Sequence, residues 1–116
     1  QRVAVLSQVS LLSHLDSGAL RQLAAHSRVE QWSEGALVVK EGDEGDRFFV
    51  LLEGRAVVSA GSRAVSELLP GDRFGEIALL HGVPRRADVT VTSPSTTMSL
   101  PREAFVSAVR SRVLAG

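Results

Sequence analysis

The sequence has no cysteine. That removes disulfide frameworks and thiolate-held metals, and is compatible with a reducing compartment. It has no excess of charge either, because 13 basic residues stand against 13 acidic ones. There is then no overall field of the kind that draws a protein to a polyanion or a membrane surface, and general nucleic-acid binding is disfavoured. No apolar run approaches bilayer-spanning length. Neither Gly-x-Gly-x-x-Gly nor Gly-Lys-Ser/Thr occurs, so the common phosphate loops are missing. His14, His26 and His81 are scattered, whereas a metal-dependent roll enzyme needs two close histidines on one strand and a third ligand downstream. Glu41, Asp43, Glu44 and Asp46 crowd one stretch, but Phe48 stands where a calcium loop of EF-hand type needs glycine. Ser7, Ser10 and Ser13 have no partnered base in view. Neither an enzyme nor a cofactor is expected.

What is present suits one domain over residues 1–116, with 44% hydrophobic residues to build its core. Residues 1–27 read as helical: apolar side chains recur at helix-like spacing, and Asp16 and Ser17 offer caps before an Ala/Leu-rich turn. From Arg28 the pattern changes to short runs rich in Val, Leu and Phe, namely RVEQW, ALVVKE, RFFVLLEG, RAVVSA, AVSELL, ADVTVTS and TTMSLP. Gly-containing turns at close intervals separate them, among them Glu53-Gly54, Gly61-Ser62 and Pro70-Gly71-Asp72. Many short strands with such turns predict a mainly β fold, an eight-stranded β-roll (jelly roll) over 28–100 with flanking short α-helices. The last of these helices covers 101–114, with Pro101 near its first turn and Phe105, Val109 and Val113 along one stripe. Trp32 reads as a half-buried strand residue, with base stacking as its less favoured role. The chain opens on Gln1 rather than Met, and the expectation is a piece of something longer.

One segment breaks the strand rhythm, RFGEIALLHGVPRRADVTV at residues 73–91. Within it, GEIALLHG suits one or two helical turns between glycines, too short to be stable alone. Its first turn leaves backbone N–H groups unpaired, a partial positive charge that favours an anion where Gly75 and Ala78 permit close approach. Arg85 can supply the rest of a phosphate site through paired hydrogen bonds. Glu76 beside an anion would be repelled unless it faces a hydroxyl donor, as a ribose provides. The same letters also suit a plain turn entering a helix, with Arg85 as a solvated strand end.

The order Phe74, Gly75, Glu76, Ile77, Ala78, Leu79, Leu80, then Gly82, Pro84, Arg85, Ala87 and Val89, closely resembles the phosphate-binding cassette of the cyclic nucleotide-binding domain family. Upstream, KEGDEGDRFFVLLEGRAVV is similar to that family's turn-and-strand signature. The resemblance implies a β-roll with flanking helices. It also implies a regulatory, signal-transducing module that binds a cyclic nucleotide and signals to a fused effector. In it Arg85 holds the exocyclic phosphate oxygens, Glu76 accepts the ribose 2′-hydroxyl, and backbone amides near Ala78, Arg86 and Ala87 complete the cradle. Phe74, Gly75 and Ile77 belong to the same ligand-binding set.

Position 86 is usually Ala, Ser or Thr in the family. Thr there often accompanies cGMP preference, so Arg86 favours cAMP over cGMP as ligand. Arg86 either points outward, adds charge or crowds the site; in the last case the chain is a degenerate roll serving as a protein-interaction or packing domain. Asp88 replaces a common Ser or Thr, and strand alternation sets it opposite Ala87 and Val89 in a solvated role. Family members often carry a further lid helix, which in full-length proteins can also mediate homodimers; the chain stops before it. No helix-turn-helix follows the roll, so direct DNA reading is not expected. The expected location is cytoplasmic, or the cytosolic part of a larger protein.

Overall fold

A computed structural model describes residues 15–74, 85 and 87–115. The helix expected before residue 15 and the short helical segment expected within 75–82 lie outside them.

Helix α1 (Ser17–Ala25) begins where the capping residues predict: the Asp16 carboxylate accepts a hydrogen bond from the Ala19 amide at 2.8 Å. It buries Leu20, Leu23 and Ala24, the i, i+3, i+4 stripe of a helix lying on a core. Eight strands follow: β1 (Arg28–Trp32), β2 (Leu37–Val39), β3 (Arg47–Glu53), β4 (Ala56–Ala60), β5 (Arg63–Leu68), β6 (Arg73–Phe74), β7 (Asp88–Val91) and β8 (Ser95–Pro101). Helix α2 (Arg102–Ala115) closes the described chain.

The strands form two four-stranded sheets, ordered β1-β8-β3-β6 and β2-β7-β4-β5, with every pairing antiparallel. The chain crosses from one sheet to the other at nearly every connection. Among the described strands, only β4 and β5 are both consecutive in the chain and hydrogen-bonded neighbours. Their loop is Gly61-Ser62, with φ of 57° and 70°, the positive values that a two-residue type I′ hairpin turn requires. This is the expected β-roll, mainly β with helices at its flanks.

In sheet β1-β8-β3-β6 the central strands β8 and β3 are buried on both faces. The sheet's inner face meets the second sheet through Phe49, Leu51 and Phe74 against Val39, Ala56, Leu68, Val89 and Val91. Its outer face, with Phe48, Val50, Met98 and Leu100, is covered by Leu20, Leu23, Ala24 and Phe105 from the two helices. Each core has its own ring stack: Phe48 on Phe105 with centroids 4.3 Å apart, and Phe49 on Phe74 at 5.0 Å. Burial on both sides explains why RFFVLLE reads as a nearly unbroken apolar run rather than an alternation.

The inner face is not wholly apolar. Thr97 and Ser99 of β8 are 0% and 1% exposed. Thr97 Oγ1 accepts from Trp32 Nε1 at 2.9 Å and Ser99 Oγ from Arg47 Nε at 2.7 Å, so both buried hydroxyls have partners.

Candidate functional site

Of the eight candidate ligand residues, Phe74, Arg85 and Ala87 are described; Gly75, Glu76, Ile77, Ala78 and Arg86 lie outside the described residues. Phe74 is a core residue. Paired with Phe49 across β3 and β6 and stacked on its ring, it anchors the start of the cassette to the inner core. Ala87 is half-buried, immediately before β7.

Arg85 is 6% exposed, which is unusual for a side chain of its length and charge. It is held at two points by the stretch between β2 and β3 and at another by the first residue of β3. Its amide donates to the Asp43 carbonyl at 2.7 Å, its carbonyl accepts from the Gly42 amide at 2.8 Å, and its Nη2 donates to the Arg47 carbonyl at 2.7 Å. Two of these are main-chain bonds, so the backbone from which the guanidinium projects is fixed as well as the guanidinium itself. This is the end of the sandwich at which β3 begins.

Arg47, the first residue of β3, was not among the expected site residues. Its carbonyl receives Arg85, while its own guanidinium turns away to Ser99, with Nε on Oγ and Nη2 on the main-chain oxygen at 3.3 Å. Burial, followed by the nearby charge of Arg28, holds its pKa below the ordinary arginine range, with Asp46 and Glu30 acting in the opposite direction. The one hint in the sequence is a cation opening an otherwise apolar run.

The acidic stretch ahead of β3 is also engaged. Glu41 Oε1 accepts from the Gly61 amide at 3.2 Å, and the Glu41 amide donates to Asp88 Oδ1 at 2.6 Å. Asp88 does lie opposite the buried Val89, as alternation predicts, but it binds a main-chain N–H rather than water alone.

A hollow of about 580 Å³ lies elsewhere, lined by Trp32, Glu34, Glu53 and Ser95 among others. It belongs to the opposite end of the sheet: Trp32 pairs with Ser95, whereas Arg47 pairs with Pro101. At roughly 3.3 Å per residue, those two ends of β8 are about 20 Å apart. Trp32 reaches inward from that end, its Nε1 bonded to Thr97. Its indole packs beside the inner core, which is the half-buried strand role expected of it.

The sequence profile of the cyclic nucleotide-binding domain matches residues 29–112. A curated relative, the cAMP-dependent protein kinase regulatory subunit of Dictyostelium discoideum, is 39% identical over 108 residues, covering 86% of this chain and 33% of its own length. The chain thus spans about a third of that relative. Among solved structures, the regulatory domain of Toxoplasma gondii PKA co-crystallised with cAMP superposes with a TM-score of 0.88 at 29% identity, covering 96% of this chain and 44% of that one. A triple variant (Glu→Ala, Thr→Arg, Val→Ala) of the regulatory subunit of a cAMP-independent protein kinase A from Trypanosoma brucei, bound to cAMP, gives 0.80 at 26% identity, covering 99% of this chain and 45% of that one. The two-sheet roll, the arginine fixed at its end and the profile match over most of the chain lead to one assignment: the chain belongs to the cyclic nucleotide-binding domain family.

Proposed function

We propose that this chain is a non-catalytic regulatory sensing domain that binds a cyclic nucleotide, cAMP in preference to cGMP, and passes its occupancy to an effector. A protein kinase is the effector that its relatives' names favour. Arg85 takes the exocyclic oxygens of the phosphate and Glu76 the ribose 2′-hydroxyl. Phe74, Gly75, Ile77, Ala78, Arg86 and Ala87 complete the ligand shell, several of them through backbone amides. Ligand capture draws the 75–82 segment inward, and α2, with Phe105, shifts against the roll. That shift is limited to what the ligand's differential affinity for the two states supplies.

The observation that carries this reading is the placement of Arg85, buried and clamped through its main chain as well as its side chain. A guanidinium set in this way is oriented before the ligand arrives, and less affinity is lost to ordering it. A second support is spacing. In the T. brucei variant the introduced Arg lies seven positions after the introduced Ala, and Ala78 and Arg85 are seven positions apart here.

One observation favours the degenerate roll instead: in that variant an alanine is introduced directly after the new arginine, and here that place belongs to Arg86. Calorimetry of the chain with cAMP, cGMP and 2′-deoxy-cAMP separates the two. The sensor gives saturable heat, strongest for cAMP and much weaker for the deoxy ligand, because a carboxylate built for a hydroxyl is left without one. Arg85→Ala then costs about 2 to 5 kcal/mol of binding; an unchanged affinity overturns the arginine assignment. No heat with any ligand, together with recovery of binding on Arg86→Ala, means that Arg86 closes the site.

A further inference from the structure

Arg85 is fastened to the stretch at 41–43, and that stretch is fastened in turn to Asp88. The Asp88 carboxylate accepts the Glu41 amide at 2.6 Å; the next amide, Gly42, donates to the Arg85 carbonyl at 2.8 Å; the next carbonyl, Asp43, accepts the Arg85 amide at 2.7 Å. Asp88 itself is the first residue of β7, in register with Ser59 of β4. A closed loop of hydrogen bonds therefore runs from the sheet, through one carboxylate, around the turn and back to the arginine three positions earlier. Glu41 adds a strut to the β4–β5 hairpin through the Gly61 amide.

We propose that Asp88 is a positioning residue for the phosphate site: its carboxylate braces the 41–43 stretch against β7 and thereby sets where Arg85 meets its ligand. The proposal rests on the assignment of Arg85 to the phosphate given above. It runs against simple electrostatics, since a carboxylate three residues from an anion-binding arginine should repel the anion. The geometry resolves the conflict, because a main-chain donor engages the carboxylate at charge-assisted distance. Side chains in a binding constellation need support of this kind to hold their productive geometry.

The two roles predict opposite signs. If Asp88 positions Arg85, Asp88→Ala weakens cAMP binding about tenfold, the scale set by one charge-assisted hydrogen bond, and Asp88→Asn, which keeps an acceptor oxygen, recovers most of the loss. If Asp88 acts only through its charge, both variants bind cAMP more tightly. Calorimetry of the wild-type chain and these variants is paired with amide exchange followed by NMR in the free protein. The amides of Glu41, Gly42 and Arg85 exchange at least about tenfold faster in Asp88→Ala, while those pairing β3 with β8 are unchanged. Asp88→Val, which suits a strand but offers no acceptor, is a second truncation with the same expectation should the alanine variant fail to fold. Binding by the truncations within twofold of wild type, or tighter, overturns the positioning role and leaves the arginine assignment standing. Absence of binding by the wild-type chain overturns that assignment and the positioning role with it.

Discussion

Thr97 and Ser99 carry hydroxyls on the inner face of β8, and each is matched to one long side chain reaching in from a neighbouring strand. Trp32→Phe removes the donor at Thr97 and leaves its oxygen buried, so it costs about 1 to 3 kcal/mol of stability, measurable by urea unfolding. With the indole donating to Thr97 inside the roll, cAMP affinity stays within twofold, and a larger change would restore the base-stacking role. At this scale the sequence is only partly legible. TTMSLP alternates in a way that points its hydroxyls outward to solvent on a one-sided sheet; only the helical layer over Met98 and Leu100 reverses that reading. Arg85 could be singled out by its place in a motif. Its clamps could not, because they are main-chain groups that every residue carries. Asp88 was legible as facing away from Val89, but not as an acceptor for an amide 47 positions away.

Between elements, a close approach is made at Gly54, after β3. A Cβ there would lie 2.1 Å from Ser95 Oγ and 2.7 Å from the Pro94 carbonyl oxygen, and φ is +95°. Gly54→Ala therefore combines a disfavoured backbone with overlap, and destabilises the chain by about 2 to 5 kcal/mol; a thermal midpoint unchanged within error would refute the close contact. At the other junction Phe105 is fully buried and stacked on Phe48. Phe105→Ala costs about 3 to 5 kcal/mol, and by loosening α2 raises exchange of amides in α1 and α2 before those of the inner core. Elements long enough to show a period were readable. Residues 28–32, for instance, form β1 with the expected bounds, and α2 starts one residue after the expected 101. β6 was not readable, since two residues, Arg73 and Phe74, carry no period of their own. It exists because Phe74 stacks on Phe49 across the pairing.

For the whole molecule, ligand binding and folding are linked. If cAMP binds only the folded chain, a concentration one hundred times Kd adds about 2.7 kcal/mol to stability. The thermal midpoint then climbs with cAMP, and this climb is lost in Arg85→Ala. A flat midpoint across that range would count against the sensor. Among the described residues no helix is long and apolar enough to cross a membrane. The fold class was legible because turn chemistry recurs along the whole roll, and the family because two motifs stand in the right order; the second core was not, since nothing local says that helices from both ends of the chain meet on one face.

Backbone pleating of β3 gives this architecture a short mechanical path. The carbonyl that receives Arg85 belongs to Arg47, and the next side chain along, Phe48, bears on Phe105 on the outer face of the sheet. One peptide unit, with no flexible loop between, joins the arginine's seat to the surface on which the last helix rests. Should a ligand shift that oxygen, the displacement has a single peptide unit to cross before it reaches the Phe48 ring.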